Sequence, residues 1–296
     1  MKTGQKFSKG KKHDTSRISR KGYSDRARKL ENIKKQRGKY PILAYDIVHM
    51  SDIILEVLDA RFITETRNYE IEEQIKKEKK EIIYVINKTD LIDRKKIKEE
   101  DILSLSPRAF VSCPIRRGIK ELRNKIKFIS TKITNPVDNV LNKITVGVVG
   151  YPNTGKSSII NSLIGKKTAG TGADAGFTKG IQKVKLTSEI MLLDSPGIIP
   201  NREYSGVDSR MLSQHTKLGA RSSTQVKNPG EVVNDLMKEF PLVFDNYYGV
   251  DSGRDSEILI EKVGRKKGML KKGNVVDEDR TARLIIRDWQ QGKIRR

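Results

Sequence analysis

Two short segments have residue types and spacing suited to one chemistry. Gly150-Tyr-Pro-Asn-Thr-Gly-Lys-Ser157 places two glycines, a lysine and a hydroxyl where backbone N–H groups can cradle a polyphosphate. Glycines 150 and 155 let the chain curl, and Asn153, Thr154, Gly155, Lys156, Ser157 and Ser158 surround the phosphates. Lys156 reaches the β- and γ-oxygens, and the Ser157 hydroxyl ligates Mg2+. Asn87-Lys88-Thr-Asp90 has the complementary chemistry: the Asp90 carboxylate accepts from guanine N1 and N2. Adenine has no such donor pair and would leave a buried carboxylate unpaired.

Further residues join this set. The run Glu189-Ile-Met-Leu-Leu-Asp194-Ser-Pro-Gly197 ends an apolar strand on Asp194, which would hold magnesium through water, and Gly197, whose N–H faces the γ-phosphate. Between the two phosphate motifs, residues 168–180 are glycine-rich and aperiodic, and Thr178 is the candidate switch threonine that closes on Mg2+ only with GTP. Ser112 and Cys113 end a short apolar run and form a weak fifth motif, with backbone N–H groups directed at the guanine carbonyl. The expected catalytic set is Lys156, Thr178 and Gly197; the metal set is Ser157, Thr178 and Asp194.

Such motifs need strands that end at the site. The apolar runs 144–149, 81–86, 109–113 and 189–194 supply them. A helix opens at Ser157 with Ile159, Ile160, Leu163 and Ile164 on its buried face and Gly165 as a left-handed cap. A second helix carries Ile119, Leu122, Ile126 and Ile129. The base motif precedes the phosphate motif by some 60 residues, the reverse of the usual order, so the nucleotide domain reads as circularly permuted.

This order of base motif, Ser112-Cys113, phosphate loop, Thr178 and Asp194-Ser-Pro-Gly197 resembles the circularly permuted GTPases of the YlqF/RbgA type. Asp52-Ile-Ile-Leu-Glu-Val-Leu-Asp-Ala-Arg61 is similar to that family's first strand, and residues 281–293 to its C-terminal helix. The resemblance implies an α/β fold, a permuted P-loop GTPase domain followed by a small α-helical C-terminal domain. It further implies GTP binding and hydrolysis and a partner in the large ribosomal subunit or its rRNA. The same motifs would serve a GTPase acting on tRNA or the small subunit, or a GTP-dependent RNA-binding module with negligible turnover.

Two positions keep two readings each. Ile198 stands where Ras-type GTPases carry a water-orienting glutamine. Either it packs in a switch loop, or hydrolysis waits for a partner to complete the site. Asn153 is either a turn-favouring residue or, by resemblance to potassium-activated GTPases, part of a K+ site beside the phosphates.

Charge agrees with a polyanionic partner. The 296 residues contain 60 Lys and Arg against 37 Asp and Glu, a net of +23. Residues 1–40 hold 15 of those cations against Asp14, Asp25 and Glu31, and read as a basic, largely disordered tail in which Ser24 caps a short helix through Ile33. The GTPase domain is expected over 41–207 and the RNA- or ribosome-binding domain over 208–296. In the latter a flexible stretch from Thr216 to Gln225 leads to a helix capped by Asn228, with Val232, Val233, Leu236, Met237 and Phe240 buried. Its last helix buries Ala282, Ile285, Ile286 and Trp289, preceded by the basic pairs around Lys266 and Lys271. No apolar run reaches membrane-spanning length, and one cysteine excludes an internal disulfide. The expectation is a monomer of the cytoplasm, or of the nucleolus if the source is eukaryotic.

Overall fold

A computed structural model describes residues 40–93, 95, 97–133, 143–165, 181–195 and 209–295. The tail, Thr178, Gly197 and Ile198 lie outside the described residues, as does the Ser24 helix.

Six strands form one sheet: β1 (Ile53–Asp59), β2 (Glu81–Asn87), β3 (Arg108–Phe110), β4 (Ile144–Val149), β5 (Gln182–Lys185) and β6 (Ile190–Asp194). Their spatial order is β3-β2-β1-β4-β6-β5, parallel throughout except for β5, which runs antiparallel to β6. All seven residues of β1 are buried, as a parallel strand covered on both faces requires. From β1 the chain builds outward to β2 and β3; from β4 it builds the other way to β6. The chain therefore changes direction between β1 and β4, and ligands of open parallel sheets bind at the carboxyl ends of strands beside such a point.

Helices cover both faces. On one lie α4 (Ile119–Ile133) and α5 (Lys156–Ile164), with Leu122, Ile126, Ile129, Ile159, Ile160 and Leu163 packed on Leu55, Val57, Val146 and Val148. On the other lie α1 (Tyr40–Met50) and α2 (Tyr69–Lys77), packed through Ala44, Ile47, Val48, Ile71 and Ile75 on Ile54 and Val149. The sequence reading missed α1, although Ala44, Ile47 and Val48 have helical spacing after Pro41. Its close packing depends on Gly147 of β4, where a Cβ would stand 2.6 Å from Ile47 Cγ2. A short helix α3 (Glu99–Leu103) precedes β3.

The remaining described chain is mostly helical: α6 (Ser209–Lys217), α7 (Pro229–Glu239), α8 (Val243–Tyr248), α9 (Ser256–Lys266) and α10 (Glu278–Gln290). Trp289 is wholly buried and stacks on Phe240, with ring centroids 5.0 Å apart, while Phe62 from the turn after β1 meets both. The core around Trp289 also takes in Tyr151 of the phosphate loop.

Three local expectations need correction. The stretch Thr216 to Gln225 is no open loop: Leu218, Ala220, Ser222 and Ser223 are buried, and a 3-10 turn occupies Ser223–Gln225. Its carbonyls are satisfied by α10, with Trp289 Nε1 donating to Lys217 and Gln290 Nε2 to Thr216 and Arg221, so ordering comes from a distant helix rather than local periodicity. Asn228 does occupy the N-cap of α7, but its side chain caps nothing; its amide donates to Glu231 Oε1 at 3.1 Å. The glycine-broken stretch before α10 forms a small hairpin, β7 (Leu270–Lys271) with β8 (Val275–Val276).

Candidate nucleotide-binding site

The parallel strands deliver the sequence-predicted residues to one edge of the sheet. Asn87 ends β2, Asp194 ends β6, and the loop 150–155 leaves β4 and enters α5. Gly155 is the N-cap of α5 at φ 100°, in the left-handed region that only glycine occupies easily. A Cβ there would stand 2.3 Å from Asn87 Nδ2, so the base motif and the phosphate loop are in van der Waals contact. Asn87 Nδ2 also donates to the carbonyl of Thr154 at 2.8 Å, and Cys113 Sγ donates to Asn87 Oδ1 at 3.6 Å. Asn87 thus braces the loop from a position read in the sequence as base-contacting.

Lys156 is buried and donates to the carbonyls of Gly150 and Tyr151 at 3.0 and 2.9 Å. Burial pulls its ammonium down to about 8, against the attraction of Asp194. Ser157 Oγ donates to Asp194 Oδ2 at 2.8 Å, bringing the two described members of the metal set together. Asp194 is fully buried, and its Oδ1 has no hydrogen-bond partner. Burial pushes this carboxyl above its ordinary value, opposed by Ser157 and Lys156. A hydroxyl beside an unsatisfied buried carboxylate oxygen is the donor set of a hard divalent cation, so these residues fit Mg2+. Ser158 follows in the first turn of α5.

On the base side, Ser112 Oγ donates to Asp90 Oδ1 at 2.6 Å, fixing the carboxylate. Thr89 Oγ1 donates to the carbonyl of Val111, and Ser112 exchanges backbone hydrogen bonds with Arg117. The strand there is shorter than the sequence run, because Ser112 turns back on Arg117 and only residues 108–110 stay in the sheet. Burial raises the Cys113 thiol, which fits a packed side chain rather than a reactive one.

Lys88 has a partner that sequence reasoning did not assign. Its Nζ donates to Asp59 Oδ2 at 2.8 Å. Asp59 also receives Arg61 Nη2 at 2.8 Å and Arg61 Nε at 3.0 Å, and Arg61 Nη1 donates to the carbonyl of Trp289. Burial alone would raise the Asp59 carboxyl, but the Arg61 and Lys88 cations override it and hold the group well below the carboxylate range. Burial lowers Lys88 despite Asp59. No signal in the sequence gives this contact; the parallel register of the sheet makes it, setting Asp59 level with Asn87.

Asn153, at φ 60°, donates from its amide nitrogen to the carbonyl of Gly219 at 2.6 Å, tying the phosphate loop to the turn after α6. Tyr151 stacks edge-on to His215, with centroids 6.3 Å apart. The loop is therefore held at three points by the helical region and the base motif.

Residues 145–237 match the family described as 50S ribosome-binding GTPase. An uncharacterized GTP-binding protein of Methanocaldococcus jannaschii is 40% identical over 253 residues, covering 84% of this chain and 64% of that protein. Nucleolar GTP-binding protein 2 of Pneumocystis carinii is 35% identical over 262 residues, covering 84% of this chain and 51% of that protein. The chain thus spans between half and two thirds of the length of these relatives. Among solved structures, GDP-bound YlqF superposes with a TM-score of 0.58 at 26% identity, covering 85% of this chain and 95% of that one.

Proposed function

We propose that this chain, a circularly permuted GTPase of the YlqF type, binds and hydrolyses GTP and works as a nucleotide-gated assembly factor for the large ribosomal subunit. The observation that carries this reading is the Asn87–Thr154 hydrogen bond, which joins a guanine-reading motif to a phosphate loop in reversed chain order. A relative named as a nucleolar GTP-binding protein, and a matching family described as 50S ribosome-binding GTPase, supply the class of partner.

In this reading Asp90, fixed by Ser112, selects guanine, and the backbone N–H groups of 153–158 hold the phosphates with Lys156. Ser157 and Asp194 hold Mg2+, which when bound neutralises phosphate charge. Thr178 and Gly197 close on the γ-phosphate. Residues 41–207 act as the nucleotide domain and 208–296 as the RNA-facing one, and the basic tail adds phosphate contacts. Turnover is slow alone and is stimulated by the ribosome. The protein acts as a monomer in the cytoplasm, or in the nucleolus of a eukaryote. K+ beside Asn153 is part of the proposal; equal turnover in KCl and NaCl at one ionic strength would remove it.

The test is co-sedimentation with purified large and small subunits in GDP, in a non-hydrolysable GTP analogue and without nucleotide, at near-physiological salt. Analogue-dependent binding to the large subunit alone is the expected result. Binding to both subunits, or indifference to nucleotide, would overturn the partner. Ile198, in place of a water-orienting glutamine, favours a second reading as a GTP-dependent RNA-binding module without turnover. Multiple-turnover hydrolysis with ribosomal subunits excludes it.

A further inference from the structure

We propose that the outward face of α4 is a single-stranded RNA-binding platform, with Phe128 as the residue on which a base stacks. The helix buries Ile119, Leu122, Ile126 and Ile129 against the sheet, so positions 120, 124, 127, 128 and 131 turn outward. All five are exposed, and they are Lys120, Asn124, Lys127, Phe128 and Thr131. Phe128 is 61% exposed on the crest of this face. A phenyl ring left this exposed adds little to the fold, since a helix tolerates a polar residue at such a position at least as well.

One cation stands at the ring, and others share the exposed face of the helix. Lys132 Nζ lies 4.5 Å from the Phe128 centroid, while Lys127 and Lys120 stand one and eight positions before Phe128, both exposed. Among the described residues no carboxylate pairs with any of the three; the one acid on this side of the helix, Glu121, pairs with Lys125 at 3.3 Å. Lysines without counter-ions on the same helix face as an exposed ring match a nucleotide, which offers a phosphate for the ammonium and a base for the ring. A protein interface would instead deplete lysine around its apolar anchor. Phe128 lies nine residues past Ile119, about 14 Å along the helix axis. Phe128 thus stands away from the end of the helix that follows Ser112 and Cys113.

The experiment uses the full chain with GDP, and anisotropy of fluorescein-labelled oligouridylate and of a duplex RNA of equal length. Phe128→Ala is expected to weaken oligouridylate binding by at least about fivefold, with little effect on the duplex, whose bases are already stacked. Phe128→Trp should restore it, and Phe128→Leu should not. Replacing Lys120, Lys127 and Lys132 by Ala should lower the slope of log affinity against log salt by about 2. GDP affinity should stay unchanged in every variant. Wild-type oligouridylate affinity in Phe128→Ala, or full rescue by Phe128→Leu, would overturn stacking; the latter would identify an apolar protein-docking face. Neither result would touch the nucleotide-switch reading.

Discussion

Asn87 Nδ2 donates to the carbonyl oxygen of Thr154 across 2.8 Å, linking residues 67 positions apart and placing the end of β2 directly under the loop that leaves β4. A carbonyl of the phosphate loop would otherwise be buried without a donor, a loss of about 1–3 kcal/mol. Asn87→Ala should therefore loosen the loop. Amide hydrogen exchange is expected to accelerate across residues 150–155, and affinity for GDP to fall. Unchanged exchange there would show that the bond does not brace the loop.

Asp90 is held by Ser112 at 2.6 Å with its carboxylate directed by that hydroxyl. Asp90→Asn replaces an acceptor by a group that can donate, which suits the 2-carbonyl of xanthine. Preference should move from guanosine toward xanthosine nucleotides by roughly 10- to 100-fold. Competition binding with GDP and XDP measures it, and retained guanine selectivity would sink the assignment of Asp90.

Lys156 titrates near 8 before nucleotide binds, because burial disfavours its charge. A bound polyphosphate raises it, so binding above that value requires proton uptake and affinity falls as pH rises. Between pH 7 and 8.5 the GDP dissociation constant should increase about fourfold. Lys156→Met should bind weakly with a flat profile across the same window. A flat wild-type profile would count against a buried, depressed lysine.

Asp59 is a buried carboxylate shared by Arg61 and Lys88. Its folded value lies below its unfolded one, near ~3.9, so its stabilisation is fully present above that pH and is lost as pH falls through the folded value. Asp59→Asn should cost about 3–5 kcal/mol at pH 7 by leaving the buried Arg61 and the half-buried Lys88 uncompensated. Urea unfolding should show the same gap between the two proteins at pH 7 and pH 5, and a gap that narrows only as the pH is taken below about 3.9. A constant gap would mean that the charge of Asp59 is not what stabilises the cluster.

Much of this was legible in the sequence because it was local. Strand runs such as Ile144–Val149 and the helix from Lys156 to Gly165 declare themselves through apolar periodicity and glycine punctuation, which act within a few residues. The reactive types at fixed spacing named the phosphate and base motifs, and their order along the chain is a property of the sequence alone. The tertiary structure decided which of these segments touch. Nothing local to Lys88 points to Asp59, nothing local to Asn153 points to Gly219, and nothing local to Arg61 points to the carbonyl of Trp289, 228 residues away. The stretch after Lys217 lacks apolar periodicity, yet side chains of α10 satisfy its carbonyls and fix it. Hydrogen bonds and buried charges are short-ranged in space and indifferent to separation along the chain. The sequence therefore determined the chemistry and the permuted order, while the fold alone determined how the guanine motif, the phosphate loop and the C-terminal helices are joined.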